Sequence, residues 1–182
     1  YVLATPMQIA SVYQTIANNG VKMKPTVVDR FVSYNGKVEE NKPQVAKKVN
    51  ISAKTLKLVK DALRLPVVGY GGTAKLLRID GYPVSAKTGT AQNTGFSDNH
   101  SWIAGFFPSD NPQIVFVSLV EGGGYGGVAS GEMARKFILK YREKYVLKKN
   151  VNDDGSKKDG KDGKNNDKKD DKNKKVVAKN LN

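Results

Sequence analysis

Ser85-Ala86-Lys87-Thr88-Gly89-Thr90-Ala91-Gln92 decides how this chain is read. The stretch reads as a β-strand carrying a lysine, two hydroxyls and a glycine at one point. Side chains alternate along a strand, so Lys87 and Gly89 face one way and Thr88 and Thr90 the other. A ligand lying along the edge of such a strand meets hydroxyls, an ammonium and backbone N–H groups together. Glycine removes the side chain where a ligand must approach the backbone. A lysine there can bind a carboxylate or stabilise the deprotonated form of a neighbouring hydroxyl. Taken alone, Lys-Thr-Gly has little specificity; a surface lysine beside a strand glycine is its commoner meaning.

The apolar segments around this strand divide the chain of 182 residues into a body and a tail. Residues 148–182 contain 12 Lys and 7 Asp and almost no apolar residue before Val176. Such a segment buries too little surface to offset its ordering entropy, so a disordered, Lys/Asp-rich tail is expected there. Residues 1–147 are long enough to bury a sizeable core. The net charge of +14 belongs to both parts. The body's basic residues are scattered rather than gathered on an arginine-rich helix. A solvated, solubilising surface is expected, without a nucleic-acid partner. The tail's mixed charges largely cancel, which favours a solubilising extension over a docking arm for anionic wall polymers or lipid headgroups.

Cysteine is absent, which excludes disulfides and thiol catalysis. No apolar run approaches the roughly 20 residues that span a bilayer. The start, Tyr1-Val2-Leu3-Ala4, lacks the charge and the apolar core of a signal peptide. It stands one step before a helix, as if cut from a longer chain whose anchor lies upstream.

That helix opens at Thr5 as N-cap with Pro6 in its first position. Met7, Ile9, Ala10, Tyr13, Ile16 and Ala17 recur at helical spacing until Asn19-Gly20. Residues 26–34 read as a strand, followed by the hairpin turn signal Asn35-Gly36. Ser52 is expected to cap a second helix with Leu56, Val59, Ala62 and Leu63 on its apolar stripe, closed by Pro66. Gly69-Tyr70-Gly71-Gly72 reads as a loop. Strands are expected over 83–92, 101–107 and 113–120, the last two joined by the tight turn Pro108-Ser109-Asp110-Asn111-Pro112. Ile114-Val115-Phe116-Val117 lacks alternation, which predicts a strand covered on both faces. After a glycine loop over 122–127, Ser130 is expected to cap a last helix to about Tyr145. Met133, Phe137, Ile138, Tyr141 and Tyr145 would form its apolar face. The pattern is an antiparallel meander flanked by helices, an α+β fold.

The order of these features carries more than any one of them. Thr5-Pro6-Met7-Gln8-Ile9-Ala10 and Ile16-Ala17-Asn18-Asn19-Gly20 come first. Gly71-Gly72-Thr73-Ala74 precedes Lys87-Thr88-Gly89-Thr90-Ala91-Gln92 by a short span. His100-Ser101-Trp102-Ile103-Ala104-Gly105-Phe106-Phe107-Pro108, an apolar strand, a glycine loop and a final helix follow. This string resembles the C-terminal half of the transpeptidase domain of class B penicillin-binding proteins, the elongation-type penicillin-binding protein 2 in particular. The resemblance runs from Tyr1 to about Tyr145. It implies part of the fold shared by penicillin-binding proteins and serine β-lactamases, with strands of a five-stranded antiparallel sheet.

The resemblance also implies a peptidoglycan D,D-transpeptidase that cross-links cell-wall stem peptides through an acyl-serine intermediate, and that β-lactam antibiotics mimic the substrate. By the family's pattern, Lys87 assists proton transfer near a Ser-x-Asn hydroxyl. Thr88 and Thr90 hold the substrate or β-lactam carboxylate. The Thr90 N–H is one of two oxyanion donors, and Gly89 lets the acyl group lie against the strand. No cofactor or metal is implied. The parent would be anchored in the bacterial cytoplasmic membrane by a single upstream span, would act on its outer side and would meet proteins of the elongation machinery. A D,D-carboxypeptidase, a serine β-lactamase relative and a non-catalytic scaffold of the same fold are the alternatives.

The chain departs from the family at the nucleophile. The reaction needs Ser-x-x-Lys, a serine with its base one helical turn away, and no serine here has Lys three positions on. Ser97-Asp98-Asn99 and Ser109-Asp110-Asn111 both follow Lys-Thr-Gly, where the family places its Ser-x-Asn before it. Both read as turns. His100, the single histidine, reads as a structural residue at a strand start, with Trp102, Phe106 and Phe107 packing the sheet. Gly122, Gly124 and Gly127 spell G-x-G-x-x-G, yet no second parallel strand follows, so a flexible glycine turn is expected rather than a dinucleotide site. The 182-residue chain alone is expected to take up no fluorescent penicillin covalently on a denaturing gel; a labelled band at its mass would refute that reading.

Overall fold

The computed structural model describes residues 3–92, 95 and 98–147. Helix α1 (Pro6–Ala17) starts as its sequence dictates. Thr5 Oγ1 accepts from the Gln8 N–H at 3.3 Å, and Gln8 Oε1 accepts from the Thr5 N–H at 2.8 Å, a reciprocal capping box. Gln14 ties the helix to β1 (Val21–Met23) by donating to the Val21 carbonyl at 3.1 Å and accepting from the Met23 N–H at 3.0 Å. β1 pairs antiparallel with β4 (Val45–Lys48), and β2 (Arg30–Val32) with β3 (Val38–Glu40) around the Asn35-Gly36 turn.

The strand expected over 26–34 pairs only from Arg30 to Val32. Thr26 Oγ1 accepts from the Val28 N–H at 3.1 Å, and Asn41 Nδ2 donates to Thr26 Oγ1 and the Val28 carbonyl. These side-chain bonds take backbone groups that a ladder would need.

Helix α2 (Ala53–Val68) is capped by Ser52, which accepts from the Thr55 N–H at 3.0 Å. Leu56 and Val67 are buried, whereas Ala62 of the expected stripe is exposed. Pro66 does not close this helix. It removes one donor, and the helix runs a further two residues before the Gly69 N–H closes on the Leu65 carbonyl at 2.8 Å. Lys60 Nζ reaches back to the Ala17 carbonyl at 3.0 Å and Asn19 Oδ1 at 2.8 Å, joining α2 to the end of α1. Burial holds this ammonium's pKa below the ordinary lysine value. A short 3-10 turn (Lys75–Leu77) follows, pinned by Arg135, which donates to the Leu76 and Arg78 carbonyls.

β5 (Ser85–Ala91), β6 (His100–Phe107) and β7 (Ile114–Val120) form an antiparallel sheet in that order. Helix α3 (Ala129–Tyr141) covers one face: Ala134 and Ile138 join Ala86, Ile103, Phe107 and Phe116 in the core. Helix α1 packs on β6 and β7 from the other side, and no residue of β7 is exposed, as its unbroken apolar run predicts. Three of the five strands that the resemblance implied are thus present among the described residues. Phe107 is the hub of the core, with ring centroids of Tyr82, Phe116, Phe137 and Tyr141 at 5.5–6.1 Å.

The last helix differs from expectation in its apolar face, where Met133, Phe137 and Tyr145 are exposed, and in its cap and its end. Ser130 is not its cap; Val128 holds that position, and Ser130 lies inside the first turn. Its hydroxyl is buried against Ser101 Oγ at 2.9 Å, so tertiary contact takes the group that capping would use. The α-helix ends at Tyr141 and continues as a wider π-helical turn (Arg142–Leu147), with Tyr145 4.9 Å from Tyr141 and the Arg142 guanidinium over the Tyr82 ring. The tail from residue 148 lies outside the described residues. Replacing the hub, Phe107→Ala, is expected to cost about 3–5 kcal/mol in urea unfolding; a loss below about 1 kcal/mol would contradict this packing.

Candidate active site

β5 passes from the core to the surface within two residues. Ser85 and Ala86 are fully buried, whereas Lys87, Gly89 and Thr90 are exposed. Ser85 anchors the inner end by donating to Ser109 Oγ at 2.9 Å. Along one edge β5 pairs with β6; along the other no strand lies against it among the described residues. That edge is where backbone groups stay open to a ligand.

The register fixes the faces. Thr88 stands opposite Ile103 and Thr90 opposite Ser101, on the side of α3. Lys87 and Gly89 stand opposite Ala104 and Trp102, on the other side. The alternation read from the sequence therefore holds. Lys87 Nζ folds along the strand and donates to the Thr88 carbonyl at 2.8 Å.

The hydroxyls of Thr88 and Thr90 are held from outside the strand. Thr73 Oγ1 lies 2.8 Å from Thr88 Oγ1. The Gly126 N–H donates to Thr90 Oγ1 at 2.8 Å. The glycine loop presses so closely on β5 that a β-carbon on Gly126 would overlap the Gly89 carbonyl oxygen. On Gly127, at φ +91°, it would stand 2.6 Å from Thr88 Cγ2 and 2.8 Å from the Thr73 carbonyl oxygen. The G-x-G-x-x-G stretch is thus not a free turn; it is the wall beside Thr88 and Thr90.

That wall is itself anchored. His100 Nδ1 accepts from the Gly122 N–H at 3.0 Å, and the Asn99 carbonyl accepts from the Gly124 N–H at 2.9 Å. His100 therefore has a structural part at the start of β6. Ser101 Oγ donates to the Tyr125 carbonyl at 3.0 Å, linking the loop to the buried Ser101–Ser130 pair. Ser109 and Asp110 occupy the turn after β6, where Arg64 pairs with Asp110 at 2.9 Å. Asp98 and Asn99 precede β6, while Ser97 lies outside the described residues.

Chemically, the arrangement can offer hydroxyl and ammonium donors to an anionic ligand. Two hydroxyls share one face, an ammonium stands on the strand and an open backbone edge runs beside them. No group of three or more His, Cys, Asp or Glu side chains is placed to hold a metal ion among the described residues. No helix there is long and apolar enough to cross a membrane. The sequence placed Lys87, Thr88, Gly89 and Thr90 on one strand, and the structure agrees. It assigned no part to Thr73 or Gly126, because they meet this strand only through folding, across 15 and 36 residues. The neighbouring glycine pairs at 71–72 and 126–127 were the available hint.

Residues 2–139 match the family model of the penicillin binding protein transpeptidase domain. The chain is 33% identical over 122 residues to penicillin-binding protein PbpB of Mycolicibacterium smegmatis, covering 61% of this chain and 19% of that protein. Its fold is similar to the D,D-transpeptidase domain of a peptidoglycan glycosyltransferase from Eggerthella lenta: TM-score 0.69, 30% identity, 79% of this chain and 33% of the other. It is also similar to penicillin binding protein 3 of Mycobacterium tuberculosis complexed with aztreonam, with TM-score 0.63, 28% identity, and coverage of 78% and 36%. The chain thus spans about a fifth of that curated relative's length and about a third of the solved chains.

The tight contact between wall and strand is testable. Gly126→Ala is expected to cost about 1–3 kcal/mol of stability and to speed hydrogen exchange at the residue-126 amide. Unchanged stability and exchange would place the loop off the strand.

Proposed function

Since the chain belongs to the family of the penicillin-binding protein transpeptidase domain, we propose that it supplies the Lys-Thr-Gly wall of a serine D,D-transpeptidase that cross-links peptidoglycan stem peptides. Residues 1–147 would be the C-terminal part of that domain and 148–182 an appended tail. The observation that carries the reading is the pair of hydroxyls, Thr88 and Thr90, beside the open edge of β5.

In this reading the terminal carboxylate of a D-alanyl peptide accepts hydrogen bonds from Thr88 and Thr90. A serine supplied by a part of the protein outside this chain attacks the carbonyl of the preceding D-alanine. The negative charge that gathers on the carbonyl oxygen meets the Thr90 N–H. One such donor contributes about 3 kcal/mol to the transition state. Gly89, without a side chain, leaves room for the acyl group along the strand. The C–N bond breaks, the terminal D-alanine leaves with a proton, and an acyl-serine remains. An amine of a second stem peptide then takes the acyl group and returns the serine hydroxyl. Lys87 stands beside the Ser-x-Asn hydroxyl and assists the proton transfers. β-Lactams enter the same site because their carboxylate and strained amide present the same groups.

The parent protein is placed on the outer side of the bacterial cytoplasmic membrane, held by a single upstream span, with elongation-machinery proteins as partners. The family match and the substrate, a peptide of the cell wall that lies outside that membrane, support this placement. A D,D-carboxypeptidase or β-lactamase relative would use the same ledge with water as acceptor. The Thr-Pro-x-Gln helix start and the Gly-Gly-Thr-Ala loop favour the transpeptidase.

In the full-length protein carrying this segment and its serine, replacing Lys87, Thr88 and Thr90 by alanine is expected to slow acylation by fluorescent penicillin at least about 100-fold, the scale of losing two charge-assisted hydrogen bonds. An unchanged rate in a variant of unchanged melting temperature would refute the reading.

A further inference from the structure

We propose that Thr73 is a positioning residue for carboxylate recognition: through Thr88 it aims a hydroxyl proton at the bound anion, as the Gly126 N–H does through Thr90. The proposal rests on the reading of Thr88 and Thr90 as carboxylate ligands and adds what makes them donors.

A threonine hydroxyl has one proton to give and two lone pairs to receive with. An ionised carboxylate only accepts. A hydroxyl that binds it must therefore spend its single proton on the anion, and any further bond it makes must be one it accepts. At Thr90 the geometry already meets that condition. The Gly126 N–H can only donate, so Thr90 Oγ1 accepts at 2.8 Å, and its own proton has no acceptor among the described residues. At Thr88 the partner is another hydroxyl, Thr73 Oγ1 at 2.8 Å, and the pair is symmetric until a ligand arrives. A carboxylate breaks the symmetry. Thr88 must donate to it, so Thr73 must donate to Thr88. The proton order becomes Thr73 to Thr88 to carboxylate, in which each bond polarises the next.

Thr73 is built to hold this place. The Ala74 N–H donates to the Pro66 carbonyl at 2.8 Å, fixing the backbone next to Thr73 against the end of α2. The Thr73 carbonyl lies under Gly127, where no β-carbon fits. The Thr73 side chain stands outside the hydrophobic core: it is exposed, and its hydroxyl bonds to Thr88. Its removal is therefore expected to act on the anion rather than on the fold.

The test uses the full-length protein and measures acylation by a penicillin and by the methyl ester of the same penicillin, which lacks the anionic charge. Thr73→Val, which keeps the shape and removes the hydroxyl, is expected to slow acylation by the free acid about 3- to 10-fold, the range of one neutral hydrogen bond. The ester rate is expected to hold. Thr73→Ser should restore the acid rate, and Thr73→Val should add nothing in a Thr88→Val background. Thr73→Ala serves the same comparison if the valine variant misfolds. Equal slowing of acid and ester, full additivity with Thr88→Val, or no effect of Thr73→Val while Thr88→Val is slow would overturn the proposal. If Thr88→Val itself leaves the preference for acid over ester intact, the carboxylate reading fails as well, which separates the two.

Discussion

The contact between the glycine loop and the backbone of β5 is the constraint on which the site depends. At Gly126 and Gly127 there is no room for a β-carbon, because the Gly89 carbonyl and the Thr88 methyl already fill it. This close approach puts a backbone N–H within hydrogen-bond distance of Thr90 and closes one side of the ledge. The loop is in turn set by the core. Ser101 reaches the Tyr125 carbonyl and the buried Ser130 hydroxyl, while Asn99 and His100 take the N–H groups of Gly124 and Gly122. The packing of α3 on the sheet and the shape of the ledge are therefore one structural problem. A buried hydroxyl pair that loses one member leaves the other without its partner, at a cost that falls directly beneath the loop.

What was legible in the sequence was local. The Thr5-Pro6 and Ser52 helix starts depend on bonds spanning three residues, and both are present. The Asn35-Gly36 turn and the unbroken apolar run at Ile114–Val117 likewise follow from neighbouring residues. Readings that failed did so where distant atoms compete for the same group. Ser130 looks like a cap but spends its hydroxyl on Ser101, 29 residues away. The Thr26 stretch looks like a strand but is turned by its own hydroxyl and by Asn41. Pro66 looks like a stop, yet a missing N–H one turn from the end of a helix removes only one bond there.

The site was legible in the same limited way. Strand alternation placed Thr88 and Thr90 on one face. Nothing local assigned a part to Thr73 or explained the glycines of the loop. Their bonds to β5 cross 15 and 36 residues and exist only in the folded chain. In the proposed reading the chemistry of this chain is that of recognition. Its hydroxyls and open backbone edge suit an anionic, peptide-like ligand, and the reacting serine of the proposed mechanism must come from elsewhere in the protein. Such a division is natural for acyl transfer, in which one wall orients the carboxylate and carbonyl while another brings the nucleophile.

The most direct measurement is a crystal structure of the full-length protein acylated by a penicillin. The account predicts the drug carboxylate at hydrogen-bond distance, about 3 Å or less, from both Thr88 Oγ1 and Thr90 Oγ1, with its carbonyl oxygen toward the Thr90 N–H. An acyl-serine whose carboxylate points away from β5, with neither hydroxyl in reach, would contradict it.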